Sequence, residues 1–320
     1  MSGVPCNLKL NFGRFYLAGQ EKSRQCRRIA IKRFIGYDMP SAAYWYEQFR
    51  SSFHHYLITM KTVSIISGLV TILFSTIVVS VFAEEPGYTD TPLIPGSKWR
   101  VHDQARPQPK IVEPGKGDLG TTPPADAVVL FDGTNLDQWV RTDSKPIEGG
   151  IKNGIFDIMA TGQLQTKQEF GDYQLHVEWR TPAIKEGFDR MNQGNSGVLL
   201  MGSIEIQIIE SKASYIYADG NAGAVYGQYP PLVNPARGPL EWQCFDIFFT
   251  APKFDGTTLK SPAFVTVVYN GVVVQNHQQV LGPVRHREVP GAYPVKEKGP
   301  VLLQEHHSPV EFRNIWIRPL

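Results

Sequence analysis

Cysteine is nearly absent: Cys6, Cys26 and Cys244 are the only three in 320 residues. Only Cys244 lies beyond residue 83, so the body of the chain has no disulfide framework. Charge is also sparse, at 19% of residues with a net of +2. It is unevenly placed. Residues 1–83 hold ten Lys/Arg against three Asp/Glu, whereas residues 84–320 hold 22 against 27. A mildly acidic body argues against nucleic acid as a partner. No amphipathic helical period is sustained and no internal repeat is found. The 29 Gly and 24 Pro follow no period, which excludes collagen-like and coiled-coil fibres. A Gly-rich phosphate loop, C-x-x-C, H-E-x-x-H and G-x-S-x-G are all missing, and with them the common nucleotide, redox, zinc-protease and nucleophile-elbow chemistries. What is present is 42% hydrophobic residues, ample for a core in a chain of this length.

Residues 62–83 contain no charge. Two readings compete. The stretch is just long enough to span a bilayer, at about 20 residues. It also reads as a signal peptide, with Lys61 ahead of the apolar run and Val81-Phe82-Ala83 as a small-x-small cleavage site before Glu84. A chain started at Met60 opens Met-Lys-Thr-Val, an ordinary secretory start, so residues 1–59 are expected to be upstream sequence from too early a start. The competing reading is a basic cytoplasmic tail on a membrane anchor. In both, the body lies outside the cytoplasm: secreted or periplasmic if cleaved, membrane-anchored if not.

Residues 84–124 hold eight prolines and five glycines and are expected to form an extended tether. From Ala125 the texture changes. Runs rich in Val, Ile, Phe, Tyr and Trp alternate with Gly/Asn/Pro/Asp clusters. Predicted strands are 128–131, 154–159, 173–180, 197–201, 204–209, 242–250, 264–269, 272–276, 301–304 and 312–317. Such a series indicates an all-β fold, and the length of 125–320 suits a concanavalin A-like jelly-roll sandwich of two antiparallel sheets. Asn270-Gly271 is the sharpest turn signal, since a type I′ hairpin needs positive φ at both residues.

Several residues could carry chemistry. In 204–210, Ile204, Ile206 and Ile208 point one way, and Glu205 and Gln207 the other. Glu210 has odd parity and joins them only if a β-bulge resets the alternation. The spacing E-x-Q-x-x-E resembles the E-x-D-x-x-E strand of laminarinase-type retaining glycoside hydrolases, with Gln replacing the central Asp. The competing reading is a solvated edge. Asn195 and Ser196 sit in a Gly-bracketed strand entry, able to bond a sugar hydroxyl or to serve as an ordinary turn. Residues 217–235 form a long aromatic loop. From it Tyr226 and Tyr229, together with Trp242, could offer flat faces to a sugar ring. Gln304-Glu305-His306-His307 places imidazoles beside a carboxylate, suited to metal binding or proton transfer. Adjacent strand residues face apart, which argues against His306 and His307 sharing an ion. His277 is a weaker candidate of the same kind.

Taken in order, the motifs resemble one family. They are Leu130-Phe131-Asp132-Gly133-Thr134 with Trp139, Gly194-Asn195-Ser196-Gly197-Val198, Glu205-Ile206-Gln207-Ile208, Gly223-Ala224-Val225-Tyr226-Gly227, Glu241-Trp242, Asn270-Gly271-Val272 and Phe312-Arg313-Asn314-Ile315-Trp316-Ile317. Residues 125–320 resemble the 3-keto-disaccharide hydrolase domain family. The chain departs from the usual pattern at Gln304-Glu305-His306-His307, where the family reads Gln-Asp-His-Gly, and at Glu210, where Asp is usual. The resemblance implies a jelly roll in a secreted or periplasmic setting, acting on glycosides whose 3-hydroxyl has been oxidised to a ketone. Such a ketone acidifies the C2 hydrogen, so a base can remove it, the aglycone can leave and water can add back. The chemistry calls for a base, a leaving-group acid and donors for the enolate. Glu205 or His306 is nominated as base, Glu210 as partner acid or metal ligand, and Asn195, Gln207, Tyr226, Trp242 and Arg313 as substrate binders. A carbohydrate is the expected partner. No cofactor is assigned, and a divalent cation is compatible with the site. The alternatives are a non-catalytic carbohydrate-binding module and a conventional retaining glycosidase.

Overall fold

A computed structural model describes residues 86–320 except 116, 118, 188 and 189. The expected basic stretch 1–59 and apolar segment 60–83 lie outside the described residues. Two antiparallel sheets pack face to face, the expected jelly-roll sandwich. The larger has eight strands. Its order is Val272–Gln279, Phe264–Tyr269, Gln243–Thr250, Tyr173–Arg180, Glu311–Pro319, Ile155–Asp157 and Ile151–Lys152, with Val128–Phe131 also pairing on Glu311–Pro319. The smaller has five, in the order Trp139–Arg141, Leu164–Thr166, Leu302–Leu303, Ser196–Leu200 and Ile204–Ile208.

Alternation explains why these segments pair in this way. In Tyr173–Arg180, Tyr173, Leu175, Val177 and Trp179 are all fully buried between the sheets. Phe245, Ile247 and Phe249 of the neighbouring strand do the same. From the other sheet come Val198, Leu200, Ile204, Ile206 and Ile208, in the same core. Each such side chain contributes roughly 1.5–3 kcal/mol by burial, and a one-residue slip would turn the whole row outward. Asn270 and Gly271 adopt φ of 51° and 81°, the hairpin geometry their sequence signals.

Local differences have local causes. The run predicted as a strand over 154–159 is a strand only at Ile155–Asp157. Asp157 then caps a one-turn helix, Ile158–Thr161, by accepting the Met159 N–H at 2.8 Å, because a short carboxylate competes for a strand's backbone donors. Trp139–Arg141 and Leu164–Thr166 are too short to show a period. The segment expected as a tether is packed against the body. Ile94 and Val101 are buried, Lys110–Ile111 pairs in parallel with Val233–Asn234, and Thr91 donates to the Val101 carbonyl at 2.6 Å. Its apolar residues dock singly through turns, so no helical or strand period marks them.

Candidate functional site

The outer face of the smaller sheet is where Glu205 lies. In Ser196–Leu200 and Ile204–Ile208 the cross-strand partners are Gly197 with Gln207 and Leu199 with Glu205. The Glu205 side chain leans over Gly197, so that a Cβ there would fall 2.6 Å from Glu205 Oε1. Partial burial, with no hydrogen bond to the carboxyl among the described residues, pushes Glu205 up to about 8. Gln304 continues the same face, its N–H donating to the Gly197 carbonyl at 2.9 Å. The Gln304 Oε1 is buried and without a hydrogen-bond partner among the described residues. His306 follows it and is exposed.

Gln207 shares Glu205's face but is buried, and its amide is spent inside the protein. Its Nε2 donates to Asn195 Oδ1 at 2.9 Å and to the Ile208 carbonyl at 3.0 Å. Asn195 in turn donates to the Met191 carbonyl at 2.7 Å. The two expected binders therefore meet, as a brace across the strand entry. Glu210 does not join Glu205. The strand Ile204–Ile208 is regular, no bulge resets its alternation, and the Glu210 carboxyl caps the next turn by accepting the Lys212 and Ala213 N–H groups at 2.8 and 2.9 Å. Burial raises its pKa against those bonds.

The aromatic loop is brought to Glu205. Tyr226 N–H donates to the Glu205 carbonyl at 3.1 Å and Val225 bridges Ile206, so Tyr226 stands beside Glu205 on the outer face. Its Oη lies 2.9 Å from Tyr217 Oη and 3.0 Å from His286 Nδ1. Burial raises the Tyr226 and Tyr217 hydroxyls above their ordinary value. His286 is lowered, by partial burial first and then by His102, Arg287 and His306 around it. Beneath lies His102, fully buried, with Nδ1 3.0 Å from Asp219 Oδ1 and its ring stacked 4.0 Å from Tyr217. Tyr88 Oη reaches His286 Nε2 at 3.1 Å. Sequence reasoning missed Tyr88, His102 and His286. They stand in Pro-rich loops with no motif, and only the fold assembles them.

Trp242 and Arg313 are placed elsewhere. Arg313 and Glu178 are cross-strand partners on the outer face of the larger sheet, opposite the buried Trp179. There Arg313 Nε donates to Glu178 Oε2 at 2.6 Å, and its guanidinium lies 4.1 Å from the Trp242 ring. Glu178 also accepts from Asn314 Nδ2 at 2.8 Å and from the Gly120 N–H at 2.5 Å. His176 bridges Asp246, at 2.8 Å, and Glu178, at 3.5 Å. Burial opposes its charge, but the bonds to Asp246 and Glu178 prevail and lift it to about 9. Glu178 is held down to about 2, its bonds to His176, Asn314, Gly120 and Arg313 outweighing its burial. The sandwich core thus separates this network from Glu205.

Two further hollows lie along the sheet edges. The larger, about 770 Å³, includes Val140, Arg141, Lys145, Gln165 and Lys167 in its lining. Among the described residues no group of three His, Cys, Asp or Glu side chains is arranged to hold a metal ion.

Residues 126–318 match the family model described as the 3-keto-alpha-glucoside-1,2-lyase-like domain. A solved structure described as a "putative glycosyl hydrolase" from Parabacteroides distasonis ATCC 8503 is 39% identical, with a TM-score of 0.60, covering 67% of this chain and 93% of that chain. A second structure from that organism with the same description is 18% identical with a TM-score of 0.47, covering 61% and 94% of the two chains. A search of curated proteins gave no match.

Proposed function

Since the chain belongs to the 3-keto-alpha-glucoside-1,2-lyase-like domain family, we propose that it is a carbohydrate-active enzyme that cleaves 3-keto-glycosides on the Glu205 face. The observation that carries this reading is the Glu205 carboxyl itself. It is partly buried, has no hydrogen bond among the described residues to dampen its proton affinity, and lies close enough to the Tyr226 hydroxyl for the two to interact electrostatically.

Removing a hydrogen from carbon needs a strong base. A carboxylate whose pKa is about 8 binds a proton far more tightly than an ordinary one, while roughly a tenth of it is still ionised at pH 7. Glu205 takes the C2 proton next to the 3-ketone. The electron pair of that C–H bond forms the enolate, which expels the C1 oxygen substituent, and the departing oxygen takes up a proton. Water then adds at C1 as C2 regains its proton. The Tyr226 hydroxyl is the donor on this face for the oxygen that gains charge. Glu210 is engaged by its own turn, so a two-carboxylate retaining mechanism finds no support.

The test is to incubate the protein with a 3-keto-disaccharide and with its unoxidised parent. Release of monosaccharide from the keto compound alone, lost by about 10²–10⁴-fold in Glu205→Gln, is the expected result. Saturable binding with no turnover of either would instead select a carbohydrate-binding module. We extend the reading to export, on the strength of the 60–83 pattern; a mature N-terminus near Glu84 is the measurement that bears on it.

A further inference from the structure

We propose that the segment 86–112, N-terminal to the matched domain at 126–318, is a working part of the Glu205 site, with Tyr88 and His102 as positioning residues that keep the Tyr226 hydrogen available to substrate. The inference rests on the reading of the Glu205 face given above.

The segment is built to present Tyr88. Gly87 adopts φ of +127°, and a Cβ there would lie 2.6 Å from the His102 carbonyl oxygen and 2.8 Å from the Gln104 nitrogen, so only glycine fits. Tyr88 N–H then donates to the His102 carbonyl at 2.8 Å, and Gln104 N–H to the Tyr88 carbonyl at 3.2 Å. The Tyr88 ring is clamped from outside by Arg287, whose guanidinium lies 4.3 Å away and pairs with Asp90 at 2.8 Å.

His102 anchors the other side. Its backbone N–H and its Nδ1 both meet the Asp219 carboxylate at 3.0 Å. Arg106 stands 3.6 Å from the same carboxylate and donates to the Gln228 carbonyl at 2.9 Å. The His102 ring, fixed in this way, packs against both Tyr217 and His286, with centroids 4.0 and 5.1 Å away. His102 Nε2 is buried and unpartnered, so the ring is held by Asp219 and by stacking alone.

The two nitrogens of His286 therefore face hydroxyls from opposite sides of the domain border: Tyr88 at 3.1 Å and Tyr226 at 3.0 Å. A neutral imidazole has one donor and one acceptor nitrogen. When Tyr88 O–H donates to Nε2, Nδ1–H must donate to the Tyr226 oxygen. With the Tyr217 O–H donating to the same oxygen from 2.9 Å, the Tyr226 hydrogen is then left for the substrate oxygen. Without the Tyr88 hydroxyl the ring takes the other tautomer, its Nδ1 accepts the Tyr226 hydrogen, and the site loses its donor. The segment thus sets the direction of a hydrogen-bond chain whose working end belongs to the matched domain.

The experiment uses the full chain with Tyr88→Phe, His102→Phe, Tyr226→Phe, the Tyr88/Tyr226 double variant and Glu205→Gln, each followed by steady-state kinetics on a 3-keto-disaccharide and by thermal melting. Tyr88→Phe keeps the ring on Arg287 and should lower kcat about tenfold or more, with KM and melting midpoint nearly unchanged. His102→Phe keeps the stack and loses the Asp219 bond, so its loss should also fall on kcat. The double variant should be no worse than Tyr226→Phe alone, because one chain is broken once. Wild-type kcat in Tyr88→Phe, or losses that simply add in the double variant, with Glu205→Gln inactive, overturns the role of the segment alone. An active Glu205→Gln removes the site reading and this inference together.

Discussion

The carboxyl of Glu205 occupies the space that a side chain on Gly197 would fill, with Oε1 2.6 Å from where that Cβ would stand. Glycine at 197 is therefore a matter of room rather than of backbone freedom. It lets a carboxyl lie against the neighbouring strand, partly buried yet on the outer face. Gly197→Ala should push Glu205 aside. We expect kcat/KM on a 3-keto-glycoside to fall at least about tenfold, and the Gly197→Ala/Glu205→Gln double variant to be no worse than Glu205→Gln alone. Additive losses, measured in a double-variant cycle, would separate the two residues.

The pH profile should report Glu205. As a base with a pKa of about 8, it works only when ionised, so kcat/KM should climb as the pH rises through about 8 and flatten above. Glu205→Gln should lose that limb. A profile that falls across the same interval would make Glu205 the proton donor instead.

Arg313 and Trp242 should matter for stability and not for turnover. Arg313→Ala leaves the buried Glu178 without its closest cation; because Arg313 is partly exposed and His176, Asn314 and the Gly120 N–H remain on the carboxylate, the cost should be about 1–3 kcal/mol. Chemical denaturation should show the loss, while the folded fraction turns over substrate at the wild-type rate. A fall in kcat at unchanged stability would return Arg313 to the site.

His176 makes the fold sensitive to alkali. Its folded value of about 9 exceeds its ordinary value of 6.5. The stabilisation is therefore complete below about pH 6.5 and is lost as the pH rises through about 9. The melting midpoint should decline across that window, and a loss of 1 kcal/mol corresponds to about 2–4 °C for a body of this size. In His176→Gln the decline should shrink, since the titrating group is gone.

The sheets were legible in the sequence because period-two burial writes itself directly into residues such as Tyr173, Leu175, Val177 and Trp179. The outward face of Glu205 was legible for the same reason, by contrast with its isoleucine neighbours. Glu210 misled because spacing shows parity and not what a turn does next: its carboxyl found two backbone N–H groups closer than any groove. Arg313 and Trp242 misled because strand parity cannot say which of two sheets a strand joins. Tyr88, His102 and His286 were invisible because they stand on turns, where no period exists and position is decided by distant partners such as Asp219.

The strand Glu311–Pro319 lies inside the larger sheet, between Tyr173–Arg180 on one side and Ile155–Asp157 and Val128–Phe131 on the other. Nothing synthesised earlier can bridge that gap. While the ribosome is still working, Phe156 and Trp179 have no Phe312 to pack beside, and the two halves of the sheet remain open edges that other chains could pair with. The body can close only after residue 319 has been made, and a chain stopped a few residues short of it should aggregate rather than mature.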